Sequence, residues 1–335
     1  MRVHGCATVL ALGSMLTVTG HAQSPAGTIE GHVAAAKAAA GQNHQVLFSQ
    51  LCAPGYTDPA AARARVAAAA APAAEGAARS SPPPRSQWHA EPARVFDNLY
   101  WVGQTEFGAW ALTTSAGIII IDALYDYSVE DEIAGGLTKL GLNPADIKYV
   151  VVSHAHGDHV GGAKFLQDRY KARVILSAAD WDLLDQTKLS PRPERDIVAT
   201  DGQKLTLGDT TMTLYLTPGH TPGTMSFLIP VTDRGQRHLV AEWGGTQFRF
   251  APTPENFRLY AASAERFREV VAQAGADALI ANHPELDDSD NRQAVLALRK
   301  PGEPNPYVIG TDAVTRYLTV AAECVKAAGI AASGR

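Results

Sequence analysis

Three imidazoles and a carboxylate fall within six consecutive positions, His154-Ala155-His156-Gly157-Asp158-His159, in a chain with 11 histidines among 335 residues. That density points to a built site rather than a polar loop. Neutral imidazoles with one carboxylate are the donor set that suits zinc. His154 and His156, two positions apart on extended backbone, can converge on one ion, and Asp158 and His159 can turn toward a second. The apolar run Ile147 to Val152 precedes them and reads as a buried strand, so the cluster leaves a strand tip.

Two ligand triplets require two more histidines in comparable positions. His220 lies in Thr217-Pro218-Gly219-His220-Thr221-Pro222-Gly223 after the strand-like run Thr211 to Leu216, where glycine and proline on both sides predict a rigid turn. His283 ends the short apolar run Ala278 to Ala281 and precedes Pro284, which favours extended geometry and a side chain projecting from the strand tip. Taken alone, each of the two also fits a core or capping histidine. Beside the first cluster, both are read as metal ligands.

Together these motifs resemble the metallo-β-lactamase-fold hydrolases, over about residues 95–322. Within them the chain is most similar to class B β-lactamases of the third subclass. Asn98-Leu99-Tyr100-Trp101-Val102-Gly103, Ile118 to Asp122, Ser177-Ala178-Ala179-Asp180 and Asn305-Pro306-Tyr307 before a final helix carry the same likeness. The resemblance implies an α/β fold, a four-layer αββα sandwich, with one zinc on His154, His156 and His220 and another on Asp158, His159 and His283. Asp158 would also act in catalysis, orienting the attacking hydroxide, and Asp122 would support the metal loop from behind.

One loop departs from the family pattern. After the strand Arg237 to Ala241 the family places either a bridging Asp or a substrate-gripping Ser, and here the chain reads Glu242-Trp243-Gly244-Gly245-Thr246. Either Glu242 reaches a metal, or Trp243 is the aligned residue and no ligand stands there. A substrate pocket is expected to draw on Trp110, Glu242, Trp243, Thr246 and Tyr307. Losing hydroxyls that anchor a lactam carboxylate implies weak or selective lactam hydrolysis.

The remaining sequence sets the context. A net charge of −5 with 46% hydrophobic and 19% charged residues describes a globular chain without the basic face that nucleic-acid binding needs. A small-molecule substrate is expected, with no stable membrane insertion; the sequence leaves oligomeric state open. Residues 1–22 read as a cleavable export signal: Arg2, an apolar stretch Ala7 to Val18, then Gly20-His21-Ala22. A periplasmic or secreted location follows. Cys6 would leave with that signal, and Cys52 and Cys324 would remain in an oxidising space, read as a disulfide rather than two buried thiols.

Residues 23–58 are expected to hold an N-terminal helix over Ile29 to Leu51. Residues 59–87 read as an Ala/Pro-rich flexible connector, and residues 88–335 as the catalytic domain of alternating strands and helices. The implied chemistry is hydrolysis by a dizinc-activated hydroxide. The expected substrate is a cyclic amide, as in β-lactam hydrolysis and antibiotic resistance. A lactone or thioester is the alternative, and a non-catalytic zinc-binding protein a third reading.

Overall fold

The computed structural model describes Met1, residues 27–70 and residues 82–334. The proposed export signal lies outside the described residues except for Met1. Two sheets form the centre. The first contains seven strands in sequence order: β1 (Ala93–Arg94), β2 (Leu99–Trp101), β3 (Trp110–Thr114), β4 (Gly117–Ile121), β5 (Ile147–Val151), β6 (Arg173–Ser177) and β7 (Ile197–Ala199). The second contains β8 (Gln203–Leu207), β9 (Thr210–Leu216), β10 (Met225–Asp233), β11 (Gln236–Trp243) and β12 (Ala278–Ala281).

Strand alternation assigns each apolar side chain to a layer. In β4, Ile119 and Ile121 enter the core between the sheets with Phe227 and Val240, while Ile118 and Ile120 face the helices outside. Those outer helices are α5 (Gly135–Lys139), α6 (Gly157–Val160), α7 (Ala163–Tyr170) and α8 (Ala178–Gln186). The other outer layer is built on α9 (Pro254–Ala274) and α11 (Thr311–Ser333), with α10 (Ser289–Ala297) between them in the chain. The result is the expected αββα sandwich.

The N-terminal helices belong to this second outer layer. The segment read as one helix from Ile29 to Leu51 is broken at Gly41, whose φ is 50°, into α1 (Ile29–Ala40) and α2 (Gln45–Leu51). Next come α3 (Pro54–Thr57) and α4 (Pro59–Ala70), and all four pack on α11. Residues 59–70 correct the reading of a flexible connector. Asp58 caps the helix by accepting hydrogen bonds from the amides of Ala60 and Ala61, Pro59 occupies its first turn, and an alanine-rich sequence propagates it. Trp88 is buried and donates its indole N–H to the carbonyl of Pro83, fixing the chain where it enters the first sheet.

Cys52 and Cys324 are bonded, 272 residues apart in sequence, tying the end of α2 to α11. Replacing both with serine should lower the unfolding free energy by about 2–4 kcal/mol, measured by urea denaturation. Titration of the denatured, unreduced protein after removal of the first 22 residues should find no free thiol. Among the described residues, no helix is long and apolar enough to cross a membrane.

Candidate dimetal site

Three strands deliver six donors to one edge of the sandwich. β5 runs parallel to β4 and ends before His154 and His156, and a turn of α6 follows with Asp158 and His159. In the second sheet, β9 leads to His220 and β12 leads to His283. The donor atoms of His154, His156 and His220 lie within 4.8 Å of one another, as do those of Asp158, His159 and His283. The ring centres of His154 and His159 are 4.3 Å apart, so the triplets adjoin.

Hydrogen bonding selects which nitrogen each imidazole presents. Nδ1 of His154 is 2.9 Å from the Gly244 carbonyl, and Nδ1 of His220 is 2.5 Å from the Gln247 carbonyl. Nδ1 of His159 is 2.8 Å from Oδ2 of Asp122. Each ring therefore turns Nε2 inward, the arrangement by which outer partners orient a ligating histidine. Nε2 of His154 is buried without a hydrogen-bond partner, and such an orphan inside a ring of imidazoles fits a cation acceptor.

Electrostatics agree. Burial, then the neighbouring imidazoles, push His154 well below its ordinary value. Burial and the neighbouring His156 similarly lower His220 to about 3. Burial opposes a charge on His159, but Asp158 and Asp122 outweigh it and raise that group to about 10. Burial also opposes ionisation of Asp158, yet the charge of His159 and its hydrogen bond hold the carboxyl below the usual range. The first triplet thus offers neutral imidazoles and the second an anionic carboxylate. Three nitrogens on one side, and two nitrogens with an oxygen on the other, match zinc's preferences.

Two buried carboxylates brace this edge. Asp122 adopts φ 59° and accepts hydrogen bonds from the amide and hydroxyl of Ser153 at 2.6 and 2.8 Å. The sequence singled it out. For Asp180 the sequence offers only a resemblance, with no role. Its carboxylate accepts from the Ala155 amide (2.9 Å), the Thr221 hydroxyl (2.7 Å) and the Gly223 amide (2.7 Å), joining the His154–His156 loop to the His220 loop. Asn282 adds a third tie, donating to the Gly244 carbonyl at 2.8 Å. A Cβ at Gly245 would collide with the Cβ of His220, so the loop after β11 needs glycine there.

The expected substrate pocket is corrected. Trp110, Glu242, Trp243, Thr246 and Tyr307 are all at most 1% exposed. Trp110 and Tyr307 fill the core between the sheets, packed edge to face. Thr246 is held by Tyr317, 3.2 Å between hydroxyls, and its carbonyl accepts from Tyr260. Trp243 points away from the metals: it shares a strand face with Ala241, packs on Phe267, and donates its indole N–H to the Tyr260 hydroxyl. Replacing Trp243 with phenylalanine should therefore change kcat/KM by less than about threefold, measured on any substrate the protein cleaves.

Glu242 takes the opposite face of β11, and neither donor group includes it. Both carboxyl oxygens are buried without partners. Burial first, then the charge of Asp122, raises its pKa well above the carboxylate range and favours the neutral acid.

Residues 109–233 match the family model described as the metallo-beta-lactamase superfamily. Among solved structures, BJP-1, a subclass B3 metallo-β-lactamase of Bradyrhizobium japonicum, is 28% identical with a TM-score of 0.59, covering 68% of this chain and 89% of that one. A mutant of the FEZ-1 metallo-β-lactamase from Legionella gormanii is 25% identical with a TM-score of 0.62, covering 73% and 95%. Curated relatives include a hydroxyacylglutathione hydrolase of Acidiphilium cryptum, 34% identical over 24% of this chain. An N-acyl homoserine lactonase of a Bacillus species is 28% identical over 42%. The chain spans 30% and 58% of the length of these two relatives. Over residues 109–233 the chain is similar to the metallo-β-lactamase superfamily, and its structural neighbours include a subclass B3 metallo-β-lactamase.

Proposed function

We propose that the protein is an exported dizinc hydrolase that opens a cyclic amide, as β-lactamases do. The observation that carries this reading is the pair of convergent donor triplets, with the buried, partnerless Nε2 of His154 inside one of them. His154, His156 and His220 would hold one zinc, and Asp158, His159 and His283 the other. Zinc, when bound there, lowers the pKa of a water toward neutrality and polarises the carbonyl under attack. Asp158, kept ionised beside His159, would orient the attacking water. Asp122 and Asp180 keep the loops from relaxing while the bond breaks. The Cys52–Cys324 bond supports an oxidising compartment and so export.

Ester hydrolysis is the second reading. It is favoured by relatives named as lactonases and hydroxyacylglutathione hydrolases, and by the absence of an exposed hydroxyl at positions 242, 243 and 246. The test is a purified-protein assay against a chromogenic cephalosporin, an N-acyl homoserine lactone and a hydroxyacyl glutathione thioester, with and without chelator. Chelator-sensitive cleavage of the cephalosporin supports the first reading, and cleavage confined to lactone or thioester supports the second. No cleavage by the zinc-loaded protein would overturn both.

A further inference from the structure

The second triplet is open on one side. The side chains of Asp158 and His283 keep 16% and 12% of their surface exposed, whereas that of His159 is closed. A molecule seated on this triplet therefore comes in over Asp158 and His283. Beside that opening stands Phe107, half-buried, its ring edge to face with the His283 ring and 5.3 Å from it.

Phe107 begins a row of rings that leads away from the metals. It meets Tyr125 edge to face at 5.3 Å, and Tyr125 stacks on Tyr127 at 5.1 Å with 13° between the planes. Trp88 closes the far end, 5.7 Å from Tyr127. Trp88 is buried, but Phe107, Tyr125 and Tyr127 each keep part of their surface in solvent.

Polar ties fix the row in place. Gln104 and Phe107 exchange backbone hydrogen bonds across a tight turn, at 2.9 and 3.3 Å, and the Gly108 amide donates to the Asn282 carbonyl at 2.7 Å, next to His283. A second turn brings the Ser128 amide to the Tyr125 carbonyl at 3.2 Å. The two turns are joined beneath the rings, where the buried Ser128 hydroxyl donates to Oε1 of the buried Gln104 at 2.6 Å. The rings are thus set before any ligand arrives, and a preorganised surface spends little of its binding energy on ordering itself.

Resting on the hydrolase reading above, we propose that Phe107, Tyr125 and Tyr127 form a shelf for an aryl group of the substrate, carried on the side of the scissile bond that lies over His283. The class selected is an acyl compound with an aromatic substituent, whichever bond is cleaved. A short aliphatic acyl compound reaches the metals and leaves the shelf bare. Ring-to-ring contact favours the aryl group over a saturated group of the same size.

Binding tests the shelf without requiring turnover. On zinc-loaded protein, calorimetry compares benzyl mercaptan, cyclohexylmethyl mercaptan and 2-mercaptoethanol, three neutral thiols that seek the metals. Benzyl mercaptan should bind about tenfold or more tightly than 2-mercaptoethanol, and about two- to tenfold more tightly than the cyclohexyl compound. Phe107→Ala should remove most of the benzyl advantage, and Phe107→Tyr should keep it. Tyr125→Leu, which spares the ring packed on His283, should lower benzyl affinity about two- to fivefold with little change for 2-mercaptoethanol. Equal affinities in the native protein overturn the shelf, as does a benzyl-selective loss in neither Phe107→Ala nor Tyr125→Leu. Failure of the zinc-loaded protein to bind any of the thiols would instead overturn the dimetal reading, and the shelf with it.

Discussion

Replacing His220 with alanine should leave about one zinc ion per chain and lower hydrolysis by more than a hundredfold. His220 is the only donor that the second sheet contributes to the first triplet, and its Nε2 lies 3.1 Å from Nδ1 of His156. Removing it leaves two imidazoles, short of the three protein ligands a catalytic zinc ordinarily retains. The second triplet keeps Asp158, His159 and His283 intact. Asp158→Ala should have the reciprocal effect on metal content and also remove the group that orients the attacking water. Elemental analysis after dialysis, run beside the activity assay, checks both. Two ions retained in either variant, with activity unchanged, would remove that residue from the ligand set.

The second large effect is expected from Asp180→Ala, away from the metal positions. This carboxylate accepts three hydrogen bonds from two loops that are otherwise tied at their ends by the bond from the Met225 amide to the Ser153 carbonyl. Truncation leaves the amides of Ala155 and Gly223 without their acceptor in a fully buried place. At roughly 1–3 kcal/mol for each orphaned buried group, the loss should be about 2–6 kcal/mol. Thr221 can turn its hydroxyl toward Thr224, 2.7 Å away, so its share is small. Urea denaturation measures the stability. Zinc affinity should fall as well, by about ten- to a hundredfold, because His154, His156 and His220 are no longer held in register. Unchanged stability and unchanged affinity would mean that the loops are fixed by other contacts.

The metal ligands were legible because each follows a short apolar strand whose end is marked by glycine, proline or the histidine cluster itself. The spacing of His154, His156, Asp158 and His159 needs only one loop to be read correctly. The pocket was not legible in the same way. Assigning Trp243 to it required knowing which face of β11 looks toward the metals, and alternation alone leaves that parity open. Ala241 and Trp243 face α9, and Glu242 faces the space between the sheets.

Strands β1, β7 and β8 leave little trace in the sequence for a local reason. β1 and β7 span two and three residues, and β8 buries only Leu205 of its five, so their alternation is too brief to register. The helix at Pro59–Ala70 was obscured by neighbouring prolines, although Asp58 and Pro59 are a capping pair that could have revealed it. The capping signal outweighs the composition there.

Anomalous diffraction at the zinc edge, from crystals of the zinc-loaded protein, tests the central claim most directly. The account predicts two peaks. One should lie about 2.0–2.1 Å from Nε2 of His154, Nδ1 of His156 and Nε2 of His220, and the other at a similar distance from Nε2 of His159, Nε2 of His283 and a carboxylate oxygen of Asp158. A metal bound by Glu242 in place of one of these residues, or no metal at either triplet, would contradict it.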